Sequence, residues 1–144
     1  MKKVIFIGKS GCGKTSLCQK LHGEEVKYKK TQSVEMFINS IDTPGEYLEN
    51  RSYYSALIVT SVDAEIIALV QECGDIETKI PPAFSCTFGK EVIGIITKID
   101  KLTTDSNIDI IENQLIMSGV KKIFKISIIT EEGLPELIEY LHIK

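Results

Sequence analysis

Apolar residues in this chain fall into short unbroken runs separated by stretches with helical spacing. Val4–Ile7, Ile66–Val70, Val92–Thr97 and Ile123–Ile126 are runs with almost no polar interruption. Such runs suit strands buried on both faces of a parallel sheet. Met36–Ile41 alternates instead, with Met36, Ile38 and Ser40 on one side and Phe37, Asn39 and Ile41 on the other. That pattern predicts a further strand. Helical spacing marks Thr15–Leu21 through Leu17, Cys18 and Leu21, and Glu46–Val62 through Tyr47, Tyr54, Leu57 and Ile58. It also marks Ser106–Ser118 through Ile108, Ile111, Leu115 and Ile116, and Leu134–Leu141. Gly119 suits the end of the third of these helices, and Pro135 the first turn of the fourth. Lys20–Ser33 is too polar for core, and Cys73–Phe88 reads as a loop, broken at Pro81-Pro82, with one helical turn. Strands alternating with helices predict an α/β fold: a doubly wound, mostly parallel sheet with helices on both faces. Ligand sites in such sheets lie beyond the strands' C-terminal ends.

The candidate chemistry falls at those ends. The first strand runs directly into Gly8-Lys9-Ser10-Gly11-Cys12-Gly13-Lys14-Thr15, the spacing G-x-x-x-x-G-K-T. Glycines let successive backbone N–H groups curl around phosphate oxygens, and the following helix adds its positive end. Lys14 is expected to reach the β- and γ-phosphates, and the Thr15 hydroxyl to bind Mg²⁺. Residues Gly8 to Ser16 are therefore candidate nucleotide contacts. Asp42 closes the alternating strand and suits a Mg²⁺-holding carboxylate, while Gly45 completes D-x-x-G, whose backbone N–H can meet a γ-phosphate. Thr97-Lys98-Ile99-Asp100 ends a later strand. A carboxylate at Asp100 accepts from guanine's N1–H and amine but meets an acceptor on adenine, and the Lys98 stem can lie over the base. Ser127-Ile128-Ile129-Thr130 follows the last strand, where a backbone N–H could contact the base's O6.

Composition adds limits. At 144 residues the chain has one domain's worth of sequence, with 43% hydrophobic and 26% charged residues. A net charge of −3 gives no electrostatic reason to expect nucleic acid or an anionic membrane as partner. No apolar stretch approaches the roughly 20 residues of a membrane span. Cys12, Cys18, Cys73 and Cys86 form no C-x-x-C pair, so they read as reduced thiols. Cys12, inside the presumed phosphate loop, is expected to be open to alkylating reagents. Lys27-Tyr28-Lys29-Lys30 reads as a solvated face, and His22 and His142 as structural or surface residues. Of Tyr53 and Tyr54, one should pack and the other be exposed.

A P-loop, D-T-P-G, T-K-x-D and S-x-x-T, in this order, resemble a small Ras-like GTPase. More narrowly, Lys29-Lys30-Thr31-Gln32, Asp42-Thr43-Pro44-Gly45-Glu46-Tyr47, the Pro81-Pro82 segment and Ile96-Thr97-Lys98-Ile99-Asp100 resemble the EutP/PduV family. That resemblance covers residues 1–143. It implies a single P-loop GTPase domain over 1–144, GTP or GDP as ligand and Mg²⁺ as cofactor, held by Thr15, Thr31 and Asp42. It also implies a cytoplasmic protein linked to ethanolamine or propanediol utilisation, with a microcompartment or metabolic-enzyme partner. Two residues depart from the Ras-like pattern. Thr97 stands where Asn usually braces the P-loop, which predicts weaker guanine affinity. Glu46 stands where a Gln usually positions the attacking water, which predicts slow hydrolysis with Lys14 and Glu46 as the candidate catalytic residues. Two rival readings remain open. One is a P-loop phosphotransferase passing a γ-phosphoryl group to a small acid, although Arg51 is the chain's only arginine. The other is a recruitment module stabilised by nucleotide.

Overall fold

Each continuous apolar run of the sequence is a strand of one sheet. In the computed structural model, which describes residues 3–9, 11–21, 35–36, 40–77, 80–101 and 106–142, the strands are β1 (Val4–Gly8), β2 (Glu35–Met36), β3 (Ser40–Asp42), β4 (Ile66–Glu72), β5 (Glu91–Thr97) and β6 (Ile123–Lys125). Their order across the sheet is β2-β3-β1-β4-β5-β6. β3, β1, β4, β5 and β6 run parallel, and β2 pairs antiparallel with β3. The helices are α1 (Lys14–Leu21), α2 (Glu46–Glu49), α3 (Tyr54–Ser61), α4 (Ser106–Ser118) and α5 (Leu134–His142). This is the doubly wound, mostly parallel arrangement that the pattern predicts.

The two-residue period of a strand divides the core in two. Val4 and Phe6 of β1, with Ala68 and Val70 of β4, point to the face covered by α1 and α5. Leu17 and Cys18 come down from α1, and Leu134, Leu137 and Leu141 from α5. Ile5, Ile7, Ile67 and Leu69 point to the opposite face, where Leu48, Leu57, Ile111 and Leu115 cover them. Gly94 in β5 lets α4 approach, since a Cβ there would lie 3.1 Å from Leu115 Cδ1.

Two elements differ from the sequence pattern. Met36–Ile41 is not one strand: Glu35–Met36 and Ser40–Asp42 are separate strands, with Met36 opposite Ile41. Alternating polarity over six residues cannot distinguish one strand from two that pair across a reversal. Nor is Glu46–Val62 one helix. Asn50 has extended backbone (φ −122°, ψ 115°), and its side-chain oxygen accepts from Ser52 N at 3.0 Å. The chain therefore stops after α2 and restarts through a 3-10 turn at Arg51–Tyr53 before α3. Asn competes with a helical backbone in this way. Tyr54 packs on Phe84 at 5.3 Å between ring centroids, and the more exposed Tyr53 stacks on Tyr47 at 5.0 Å.

Ile67 lies at the centre of the sheet, fully buried, beside Ile5 of β1 and Val92 of β5. Ile67→Ala should lower unfolding free energy by about 2–5 kcal/mol, through lost burial plus the cavity left behind. A urea midpoint shifted down with an unchanged slope is the expected result.

Candidate functional site

The strand-to-helix turn after β1 needs glycine at three positions, for a contact at one and for backbone conformation at two. A Cβ on Gly8 would come within 2.5 Å of Val70 O and 2.8 Å of Cys12 Sγ, so no larger residue fits there. Gly11 and Gly13 take φ values of +80° and +99°, which side chains resist. Cys12 N donates to Lys9 O (3.2 Å), closing the loop, and Leu17 N donates to Gly13 O (2.9 Å), starting α1. The Lys14 ammonium is buried inside this turn. It donates to Gly8 O at 2.7 Å and Lys9 O at 3.1 Å, and lies 3.7 Å from Cys12 Sγ. Lys9 points elsewhere: its ammonium donates to Asp75 Oδ2 at 2.9 Å, a bond that raises its pKa above the ordinary lysine value.

Three further segments close on this loop. Asp42, at the end of β3, is fully buried, and the Thr15 hydroxyl donates to its Oδ2. The adjoining Thr43 is also buried and donates to Phe6 O at 2.7 Å, tying the D-T-P-G segment to β1. Gly45 O accepts from Leu48 N and Glu49 N, opening α2. From the end of β5, Thr97 Oγ1 donates to Cys12 O at 2.6 Å and Lys98 Nζ to Gly11 O at 2.8 Å. Thr97 thus braces the P-loop despite its short arm. Lys98 sits at φ +60°, a left-handed backbone that costs a non-glycine residue about 1–2 kcal/mol. After β6, buried Ser127 donates through Oγ to Asp100 Oδ1 at 2.7 Å and accepts from Ile129 N and Thr130 N at 3.2 Å each.

The structure therefore brings Gly8, Gly11, Cys12, Gly13, Lys14, Thr15, Asp42, Thr97 and Lys98 into one bonded cluster, with Asp100 and Ser127 paired beside it. A cavity of about 50 Å³ lies between the two groups, lined by Gly13, Ser16, Thr97, Lys98, Ile126 and Ile128. Neither Asp100 nor Ser127 lines it, although each is next in sequence or next but one to residues that do. A groove of about 640 Å³ along β6 and α5, lined by Phe124, Glu136 and Tyr140 among others, contains none of the motif residues. Ser10 and Thr31 lie outside the described residues, as does the side chain of Glu46. Sequence reading passed over Thr43, Glu72, Cys73 and Asp75. Glu72 ends β4 and Cys73 and Asp75 come just after it, and the parallel register that sets Glu72 beside Thr97 is the signal that could have found them.

Comparison with known proteins decides the family. The sequence model of the ethanolamine utilisation–propanediol utilisation family, PduV-EutP, matches residues 1–143. The chain belongs to this family. It is 41% identical to the propanediol utilization protein PduV of Citrobacter freundii, over all of this chain and 95% of that one. It is 31% identical to an Escherichia coli K12 protein named "Probable acetate kinase EutP", over 98% of this chain and 89% of the relative. In fold, this PduV-EutP chain resembles Aquifex aeolicus Era bound to GDP·AlF4⁻, with a TM-score of 0.69 at 21% identity. It also resembles Era in complex with MgGDPNP and a 16S ribosomal RNA segment, with a TM-score of 0.65 at 20% identity. The alignments cover 98% and 97% of this chain but span only 56% and 55% of the Era chains. The architecture is thus that of the small-GTPase P-loop fold. No helix among the described residues is long and apolar enough to cross a membrane.

One expectation is reversed. Cys12 is not open to reagents: it is 3% exposed, and burial pushes its thiol pKa up despite the nearby Lys14 cation. Cys73 is buried too, with its thiol pKa raised mainly by burial, whereas Cys86 is exposed. Reactivity follows thiolate content and access. Iodoacetamide at neutral pH should therefore label Cys86 first in the native protein, and Cys12 and Cys73 only after urea, as read by peptide mass spectrometry.

Proposed function

We propose that this PduV-EutP chain binds guanine nucleotide with Mg²⁺ and hydrolyses GTP slowly, acting as a nucleotide-dependent switch in ethanolamine or propanediol utilisation. The observation that carries this reading is the Thr97 hydroxyl on Cys12 O, which fixes a base-reading segment directly to a phosphate-binding turn. In this reading the backbone of Gly11–Thr15 and the Lys14 ammonium hold the phosphates. Asp100 accepts two hydrogen bonds from guanine, and Ser127 orients it. The hard oxygen donors of Thr15 and Asp42, buried and in contact, fit a Mg²⁺ ion, with Thr31 as the third expected ligand. When bound, that ion neutralises charge on the β- and γ-phosphates. Glu46 follows Gly45 at the start of α2, where a carboxylate can only accept from water and repels the γ-phosphate. Slow turnover suits a switch whose loops stay ordered while the triphosphate remains intact. The guanine nucleotides bound by the Era structures support the same ligand class. A microcompartment or metabolic-enzyme partner in the cytoplasm is the corresponding proposal for its setting.

A second reading is favoured by the Escherichia coli relative, named as a probable acetate kinase: transfer of the γ-phosphoryl group to a small carboxylate. Transfer would break the bond from the γ-phosphorus to its bridging oxygen and form an acyl phosphate, leaving the nucleoside diphosphate. Arg51, exposed and in the 3-10 turn after α2, is the chain's only arginine, so any clamp on an acceptor anion would rely on lysine.

Competition binding tests the leading reading. Lys14→Ala should lower GTP affinity about a hundredfold or more while retaining cooperative thermal unfolding. Asp100→Asn exchanges two charge-assisted hydrogen bonds, each worth roughly 1.5–3 kcal/mol, so GTP affinity should also fall about a hundredfold or more. Xanthosine triphosphate, which offers a carbonyl where guanine has its amine, should bind the Asp100→Asn protein better than the wild type. Wild type that binds ATP as well as GTP would sink the assignment of Asp100 to the base.

The two readings separate in single-turnover reactions with and without acetate. The hydrolase produces inorganic phosphate at the same rate in both, whereas acetyl phosphate formed in proportion to acetate establishes the transferase.

A further inference from the structure

We propose that Glu72 and Cys73, at the C-terminal end of β4, are positioning residues that set how strictly the site reads guanine, by holding Lys98 and the turn that presents Asp100. The inference rests on the guanine-binding reading above. In the parallel register of β4 and β5, Glu72 lies beside Thr97, which brings both residues against the base-reading segment. Cys73 N donates to Thr97 O at 3.0 Å, and Cys73 Sγ donates to Lys98 O at 2.8 Å. That same Lys98 carbonyl accepts from Lys101 N at 2.9 Å. This bond closes the 3-10 turn Ile99–Lys101, in which Asp100 sits. The thiol therefore fixes the first carbonyl of the turn that carries the discriminating carboxylate.

Glu72 acts on the other end of the same residue. Its Oε1 lies 3.3 Å from Lys98 Nζ, which also donates to Gly11 O. With main chain and side chain both held, Lys98 keeps a left-handed φ of +60° that it would otherwise tend to leave. Relaxation of Lys98 would swing the next two residues and move Asp100 relative to Ser127 and the cavity. Only a protonated thiol can donate in this way. Burial, with the Glu72 and Asp100 charges adding to it, pushes the Cys73 thiol pKa up, so the proton stays on sulfur at neutral pH. Cys73 also packs in the core beside β4, and a purely packing role makes a different prediction for serine.

The experiment is competition binding of GTP, inosine triphosphate and ATP to the wild-type chain and to Cys73→Ala, Cys73→Ser and Glu72→Ala. Inosine triphosphate lacks only guanine's amine, so the GTP-to-inosine-triphosphate affinity ratio reads the Asp100 contact within each variant. Cys73→Ala and Glu72→Ala should lower that ratio about fivefold or more, with ATP, which makes neither of the Asp100 bonds, bound no more weakly than by wild type. Cys73→Ser, which restores a donor, should keep the wild-type ratio. Glu72 is partly exposed, so Glu72→Ala carries the test if Cys73→Ala does not fold. A GTP-selective wild type whose alanine variants keep its ratio overturns this inference alone. A serine variant that behaves as alanine does overturns the thiol's part in it. Equal GTP and ATP binding by wild type overturns the guanine reading and this inference together.

Discussion

The hydrogen bond from Thr97 Oγ1 to Cys12 O joins residues 85 positions apart, and the geometry around it depends on that link. Without it, the turn at residues 8–14 and the segment at 97–100 would be two loops over separate strands. With it, a carbonyl of the phosphate loop is satisfied by the strand two places away in the sheet. The buried hydroxyl also holds its own strand end in register. A buried polar group left unpaired costs about 1–3 kcal/mol, so Cys12 O and Thr97 Oγ1 each need the other. Lys98 adds a second link to the same loop through Gly11 O. Two short contacts thus convert a set of strand ends into one surface.

The sheet makes that possible by placing its order against chain order. β1 lies between β3 and β4, so Asp42 and Thr43 arrive on one side of the P-loop and Glu72, Cys73 and Thr97 on the other. Continuous apolar strands fix these positions because both of their faces are buried, and a slip of one residue would exchange the Ile5–Ile7 face for the Val4–Phe6 face. The helices close both layers and leave the C-terminal strand ends for polar residues. Three basic side chains there are engaged: Lys14 on loop carbonyls, Lys98 on Gly11 and Glu72, and Lys9 on Asp75. The site is held together by charge-assisted bonds to the backbone as much as by its glycines.

Membership in the PduV-EutP family relates the chain to propanediol and ethanolamine utilisation, while the fold relates it to GTPases such as Era. The two relations bear on different things. Fold similarity at about 20% identity speaks to architecture, and chemistry has to come from the site. In the proposed reading, Glu46 stands where the Ras-like pattern has the Gln that positions the attacking water. Thr97 shows that a departure in residue type need not change the contact made.

The sequence alone determined the doubly wound fold, because short apolar runs alternating with segments of helical spacing suit strands buried on both faces under crossover helices. It also determined the phosphate-loop spacing, since glycine at positions 11 and 13 is a local backbone requirement, whereas Gly8 is required by the approach of Val70 from β4. Tertiary structure decided the remainder. Alternation could not tell whether Met36–Ile41 was one strand or two, because pairing, not period, separates them. Helical spacing could not reveal the break at Asn50, where one side-chain hydrogen bond outweighs the pattern. Cys12 looked accessible from its motif, yet the packing of β4 against Gly8 buries it. Glu72 and Cys73 carried no motif at all. Their relation to Lys98 exists only because parallel pairing sets residue 72 beside residue 97, a contact that depends on strand register and not on nearness along the chain.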